Sequence, residues 1–306
     1  MTLVDLRPRT AEGASNVRQW DWCSGPCVAL EHTFELRVEP GSDFRRTLEP
    51  MIAPFRVRSG VGQAPAGCYE IRADDESPLP YTLFFNDGRV ASGRFASDLV
   101  GMLAWHINHT VIERSVGHHV LLHSAAAVRG GLTVILPADQ ESGKTTTVAG
   151  LLRNGFDYVT DEAVAINPST GWIVPFPKTL SLDPGSWSLF PECSPADPGV
   201  WTRQWQVPAQ RLGARVVGHA VPPPRVIVFP KYVAGAVTTA VPLSRSEAVR
   251  ELARMSFDFP RFAARNLSVL GRVASGATTA RLVIGSLDDA VMAIEGLVSE
   301  RLLEEL

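Results

Sequence analysis

The feature that most constrains this chain is a change of periodicity between residues 132 and 152. Leu132-Thr-Val-Ile-Leu136 is a mostly apolar run of core-strand length, and Val148, Leu151 and Leu152 then recur at helical spacing. Between them lies the polar stretch Pro137-Ala-Asp-Gln-Glu-Ser-Gly-Lys-Thr145, and Asn154-Gly155 ends the helix. A buried strand that runs through a loop into a helix belongs to an α/β layer arrangement.

The flanking segments extend the unit. Val120 to Val128 reads as a strand that turns at Arg129-Gly130-Gly131 into the apolar run, and Phe156-Asp-Tyr-Val-Thr160 reads as a short strand delivering Asp161 and Glu162 at its end. From about 168 to 224 the chain is Pro-rich, including Pro222-Pro-Pro224, with Trp187, Trp201 and Trp205 among loop or extended backbone. Val226-Ile-Val-Phe229 is a buried strand, and Ser244-Arg-Ser-Glu247 is a capping box for a helix through Val249, Leu252 and Ala253. Leu287 to Leu297, opened by Asp288-Asp289, is a closing amphipathic helix.

Before residue 95 the pattern is short, alternating and punctuated by turns. Phe34-Glu-Leu-Arg-Val38, Phe55-Arg-Val-Arg58 and Tyr69-Glu-Ile-Arg72 each alternate apolar and polar, and Tyr81 to Phe85 followed by Asn86-Asp-Gly88 reads as a hairpin whose turn carries Asp-Gly. Ser97-Asp98 can cap a helix to about Glu113, with Leu99, Met102, Leu103, Ile107 and Val111 on one side. A chain of 306 residues has room for two domains. The expectation is a β-rich (α+β) N-terminal module over 1–117, substrate-facing or scaffolding, and an α/β domain over 118–306.

Composition removes several function classes. A net charge of −3 gives no global positive field for nucleic acid or an anionic membrane, and no apolar run approaches the roughly 20 residues of a bilayer span. Met1-Thr-Leu-Val-Asp-Leu-Arg7 lacks a secretory pattern, so the cytoplasm is the expected compartment. Of the four cysteines at 23, 27, 68 and 193, only Cys23 and Cys27 are close, and with His32 they fall short of a zinc set, so reduced structural thiols are expected. His106, His109, His118 and His119 lack metal-ligand spacing and read as linker and surface residues.

The loop carries the chemistry. A strand-to-helix loop can wrap a polyphosphate in backbone N–H groups while the helix dipole favours its charge. Against the signature G-x-x-x-x-G-K-[ST], Gly143, Lys144 and Thr145 match, while Ala138 stands where the first glycine belongs and Asp139 and Glu141 add carboxylates. The expected nucleotide contacts are Ala138, Asp139, Gln140, Glu141, Ser142, Gly143, Lys144, Thr145 and Thr146. Lys144 would neutralise the terminal phosphates, and the Thr145 hydroxyl would sit on Mg²⁺. Asp161 and Glu162 supply the acidic strand end, where one carboxylate holds the metal or its water and one takes a proton; the residues alone leave the assignment open.

In this register the segment resembles HPr kinase/phosphorylase, and more closely the HPr-kinase-like proteins of peptide-modification gene clusters. The matching pieces are His123 within Leu121-Leu-His-Ser-Ala-Ala-Ala127, fifteen residues before the loop start, then the loop 138–145, Gly155, and Asp161-Glu162 in place of Asp-Asp. Pro175-Phe-Pro-Lys-Thr-Leu-Ser181, Val226 to Tyr232 and Leu287-Asp-Asp-Ala290 continue it more weakly, so it covers roughly 118–300. The resemblance implies a P-loop, HPr kinase-like domain that transfers the γ-phosphoryl group of ATP, with Mg²⁺, to a serine-type hydroxyl of a small protein or ribosomally made precursor peptide. It implies Asp161 as the group that orients and deprotonates the hydroxyl, and Thr145, Asp161 and Glu162 around the metal. His123 would donate near the γ-phosphate, and Lys178 would be a further phosphate or substrate contact. True HPr kinases work as hexamers; here, with a different N-terminal half, the expectation stops at a homo-oligomer. The alternatives are a kinase of a small-molecule hydroxyl compound and a nucleotide-binding regulator without turnover.

Overall fold

Alternation along the first strands gathers one apolar face. The computed structural model describes residues 18–40, 44–57, 64–74, 76–196 and 203–304, so Met1 to Arg7, Arg58 and Trp201 lie outside the described residues. β1 (Trp22–Cys23), β2 (Cys27–Ala29), β3 (His32–Val38), β4 (Gly67–Ala73), β5 (Tyr81–Phe85) and β6 (Gly88–Gly93) form a sheet of order β1-β3-β4-β5-β6, with β2 also on β3. His32, Phe34, Leu36 and Val38 point to the same buried side, as a period of two requires. Two helices cover that side, α1 (Phe44–Ile52) and α2 (Ala96–Ser115).

The structure adds to and changes the local reading. β3 and β4 pair in parallel, which needs a crossover, and α1 supplies it. Of the alternation expected from Phe55, the described part is no regular strand: Ala53–Phe55 is a 3₁₀ turn containing Pro54, Phe55 packs its ring 5.8 Å from Phe176, and Arg56 makes an isolated bridge to Cys27. The hairpin turns on Asn86 and Asp87, both left-handed at φ 47 and 65, as a two-residue type I′ turn demands, and Gly88 begins β6. In α2 the N-cap is Phe95, and Asp98 sits in the first turn, where its carboxylate accepts the Phe95 N–H at 3.3 Å.

The second half is a mixed sheet with helices on both faces. After β7 (Val120–Arg129) and β8 (Leu132–Pro137) come α3 (Lys144–Arg153), β9 (Asp157–Thr160), β10 (Ala163–Ile166), β11 (Ile173–Val174), β12 (Leu180–Leu182), α4 (Pro184–Trp187) and β13 (Trp205–Val207). β14 (Val226–Tyr232), β15 (Thr239–Pro242), α5 (Arg245–Arg254), α6 (Ala263–Ser275), β16 (Thr278–Ile284) and α7 (Leu287–Glu304) complete it. The sheet order is β11-β10-β7-β8-β14-β16-β15 with β9 on β7, and β8, β14 and β16 run parallel. Val134, Leu136, Val226 and Val228 face α3 and α7, while Ile135, Ile227 and Phe229 face α5 and α6. Every residue of β8 is buried, which explains its unbroken apolar run. Gly150 lets α3 approach α7, since a Cβ there would stand 2.8 Å from Leu287.

The capping box holds, with Ser244 accepting from the Glu247 N–H. The Pro-rich stretch is mostly extended or loop, as expected, but it contains the β12–β13 ribbon and a stacked pair, Trp187 on Trp205 at 4.7 Å. The two halves share a core, because Ala163 and Phe176 belong to the apolar cluster of the first sheet. No described helix is long and apolar enough to cross a membrane. Among the described residues no histidine, cysteine or acidic group forms a metal cluster, and all four cysteines are free.

His32 is 0% exposed among Phe34, Tyr69 and Phe85, and neither ring nitrogen has a hydrogen-bond partner. Burial, with Arg114 second, lowers its pKa to about 4. The unfolded chain therefore binds more protons between about pH 6.5 and 4, so stability falls as pH drops through that window. His32→Leu is expected to flatten this acid limb by about one proton's slope, read from urea unfolding across pH. An unchanged slope would place the titrating group elsewhere.

Candidate functional site

The loop 138–143 leaves the C-terminal end of β8 and enters α3. Ala138 is 4% exposed and does not take up the left-handed conformation a glycine would permit; Glu141 (φ 59) and Gly143 (φ 88) take it instead. The missing glycine is thus absorbed by a left-handed glutamate two residues before Gly143, and left-handed residues within a turn create a concavity lined by N–H groups. The end of β14 pins the loop, through the Tyr232 N–H to the Ser142 carbonyl at 3.0 Å.

The donors of this loop are unspent. Among the described residues no backbone N–H from Asp139 through Thr146 has a hydrogen-bond partner, and the first helical bond of α3 is Thr147 N–H to Gly143 carbonyl at 2.8 Å. Lys144, 7% exposed, points its ammonium back at the carbonyls of Ala138 (3.4 Å) and Asp139 (3.5 Å) and at His123 Nε2 (3.2 Å). No carboxylate lies within ion-pair distance of it among the described residues. Burial lowers its pKa, against the pull of Glu162 and Asp161.

Burial first and the Lys144 charge second bring the His123 pKa to about 4, so the ring is neutral near pH 7. An ammonium only donates, so His123 Nε2 is the acceptor and the ring proton sits on Nδ1. The structure places His123 beside the loop, as the sequence led one to expect, with Nε2 turned to Lys144.

The acidic pair is asymmetric. The Asp161 side chain is 1% exposed; its Oδ1 accepts from Lys178 Nζ at 2.9 Å and Tyr158 Oη at 2.8 Å, and its Oδ2 from the Ser181 N–H at 3.4 Å. Glu162 keeps 31% of its side chain exposed, with Lys178 at 3.6 Å and the Asn108 amide donating at 3.4 Å. Burial opposes the Lys178 ammonium, but Asp161 and Glu162 outweigh it and raise its pKa. Lys178 lies at the acidic strand end, held by the two carboxylates, the Thr179 carbonyl and the Ser181 hydroxyl. Tyr158 is held far above its ordinary pKa by burial and then by Asp161, so it remains a donor.

A cavity of about 390 Å³ opens beside the loop, lined by Gly143, Lys144, Thr145, Thr146, Asp183, Ser186, Tyr232, Ile284 and Leu287 among others. Tyr232 and Ile284 are the last residues of two parallel strands, the end of an α/β sheet where ligands bind. Sequence reasoning missed these residues because the strand reading stopped at Phe229 and β16 was not read as a strand. Asp183 lay in the Pro-rich stretch, and only the fold brings its carboxylate to the loop. Compared with models of protein families and with curated proteins, the chain matches none.

Lys178→Met strands a buried carboxylate and is expected to cost about 3–5 kcal/mol. Adding Asp161→Asn should recover more than half of that loss in urea unfolding. Additive losses in the double variant would show that the pair is not coupled.

Proposed function

We propose that this chain is an ATP-dependent phosphotransferase with an HPr kinase-like P-loop domain, transferring the γ-phosphoryl group to a serine-type hydroxyl of a small protein or peptide. One observation carries the reading: a buried ammonium without a carboxylate partner lies beside a row of unpartnered backbone N–H groups. A buried charge left this way is costly, and an anion with several oxygens, such as a polyphosphate, is the ligand that satisfies ammonium and amides together.

The donor set suits Mg²⁺, which takes hard oxygens and few protein ligands when phosphate is present. The Thr145 hydroxyl makes no hydrogen bond among the described residues, and the Asp183 and Glu162 carboxylates keep exposed surface, whereas both Asp161 oxygens are engaged. Thr145, with Asp183 across the same cavity, would hold the ion, whose chemistry is to neutralise charge on the phosphates. Lys144 neutralises the terminal phosphates, and the loop amides orient them. Glu162, the accessible carboxylate, accepts the proton of the attacking hydroxyl. Asp161 anchors Lys178 and fixes the strand end.

Lys144→Ala is expected to lower transfer by about 10²–10³, and because it removes an unpaired buried charge, the nucleotide-free protein should lose no stability. Calorimetry with Mg²⁺ and ATP should find uptake in the parent and little in the variant. Glu162→Gln should cut turnover about 100-fold with the fold intact, whereas Asp161→Asn should lose stability as well. A stable, inactive Asp161→Asn beside an active Glu162→Gln would make Asp161 the base. Parent-like transfer by Lys144→Ala would remove the reading.

A further inference from the structure

A second cavity, of about 540 Å³, lies between the two halves of the chain, lined by Ser92 of β6, Gly101, Met102 and Trp105 of α2, and Gln204 and Gln206 at β13. We infer that this cavity is the acceptor site and that it holds an extended, uncharged peptide segment carrying the serine or threonine to be phosphorylated. The inference rests on the phosphotransferase reading above.

Two independent tracks connect the cavity to the carboxylates. The first is the β12–β13 ribbon, which buries Leu180, Leu182, Trp205 and Val207 on one face and places Thr179, Ser181, Asp183, Gln204 and Gln206 on the other. Across that polar face Gln204 Nε2 donates to Asp183 Oδ1 at 2.8 Å, so a residue of the second cavity bonds directly to one lining the first. Gln206 Nε2 donates to the Ser181 hydroxyl at 3.1 Å, and the Ser181 N–H donates to Asp161. The second track is α2, where Gly101, Trp105 and Asn108 fall on one face at i, i+4 and i+7. Gly101 and Trp105 line the cavity and Asn108 donates to Glu162, a rise of about 10 Å along the helix. One face of α2 therefore carries both cavity-lining residues and the partner of the accessible carboxylate.

The lining indicates a peptide. β6 is the last strand of its sheet, so its outer edge offers backbone N–H and carbonyl groups for pairing with an added strand, and Ala91 and Ser92 of that edge face the cavity. Gln206 is engaged within the ribbon, its Oε1 accepting from the Thr179 hydroxyl at 2.8 Å, whereas the Gln204 Oε1 has no partner among the described residues and can accept from a peptide N–H. Trp105, 57% exposed, offers an aromatic surface to a side chain. Arg203 and Asp98 balance in charge, so the lining does not select a strongly charged acceptor. In the reaction the serine O–H bond breaks with its proton passing to Glu162, the Oγ–phosphorus bond forms, and the bond from the γ-phosphorus to its bridging oxygen breaks to release ADP.

The test is labelling of a serine-centred peptide library by the full chain with γ-labelled ATP and Mg²⁺, beside free serine, threonine and simple polyols. Label is expected in peptides. Gly101→Trp fills the cavity from a position where an added Cβ meets nothing within 4 Å, and should raise KM for the best peptide about tenfold or more, with kcat within about twofold. Trp105→Ala should raise the same KM. Unchanged KM in both variants, or label confined to the free compounds, would overturn the site. Nucleotide uptake without peptide label overturns this inference alone; failure of nucleotide uptake in calorimetry overturns the phosphotransferase reading and this inference with it.

Discussion

Two lysines buried near the same carboxylates are treated differently, and the site follows from that difference. Lys178 is fully compensated by Asp161, with Glu162, a carbonyl and a hydroxyl completing its shell. Lys144 has only a neutral imidazole and two carbonyls. Had Asp161 paired with Lys144 instead, the loop would be electrostatically closed. Because Lys178 holds Asp161, the positive end of α3 and its ammonium keep their demand for an anion.

The same pair ties the two halves of the chain together. Asp161 and Glu162 follow β9, and Glu162 is met by Asn108 from α2, which belongs to the first sheet's core. Phe55 against Phe176 and His119 with Glu31 at 3.1 Å add contacts between the halves. The N-terminal half is therefore not an appendage. Its helix α2 meets the accessible carboxylate through the Asn108 amide.

Much of the second half was legible because its signals are local. The β8 run, the Gly143-Lys144-Thr145 triplet and the Asn154-Gly155 stop share one stretch, and the capping box at Ser244 needs only four residues. The parts that were not legible depend on long-range pairing. Nothing near Lys178 in sequence shows that its ammonium would turn to Asp161 rather than outward, and nothing near Asp183 shows that it borders the loop. β16 and α6 escaped notice, as did α1, where Phe44, Leu48, Met51 and Ile52 keep helical spacing but an interior Pro50 argues locally against a helix. The alternation from Phe55 misled because its first residue closes a 3₁₀ turn and, of its described residues, only Arg56 makes a β-bridge, to Cys27.

The central claim is that the unpartnered amides from Asp139 through Thr146 close on polyphosphate. Amide hydrogen exchange resolved over that segment, with and without ATP and Mg²⁺, measures it directly. Strong slowing confined to these amides and the first turn of α3 is the expected result. Exchange unchanged at millimolar nucleotide would contradict it.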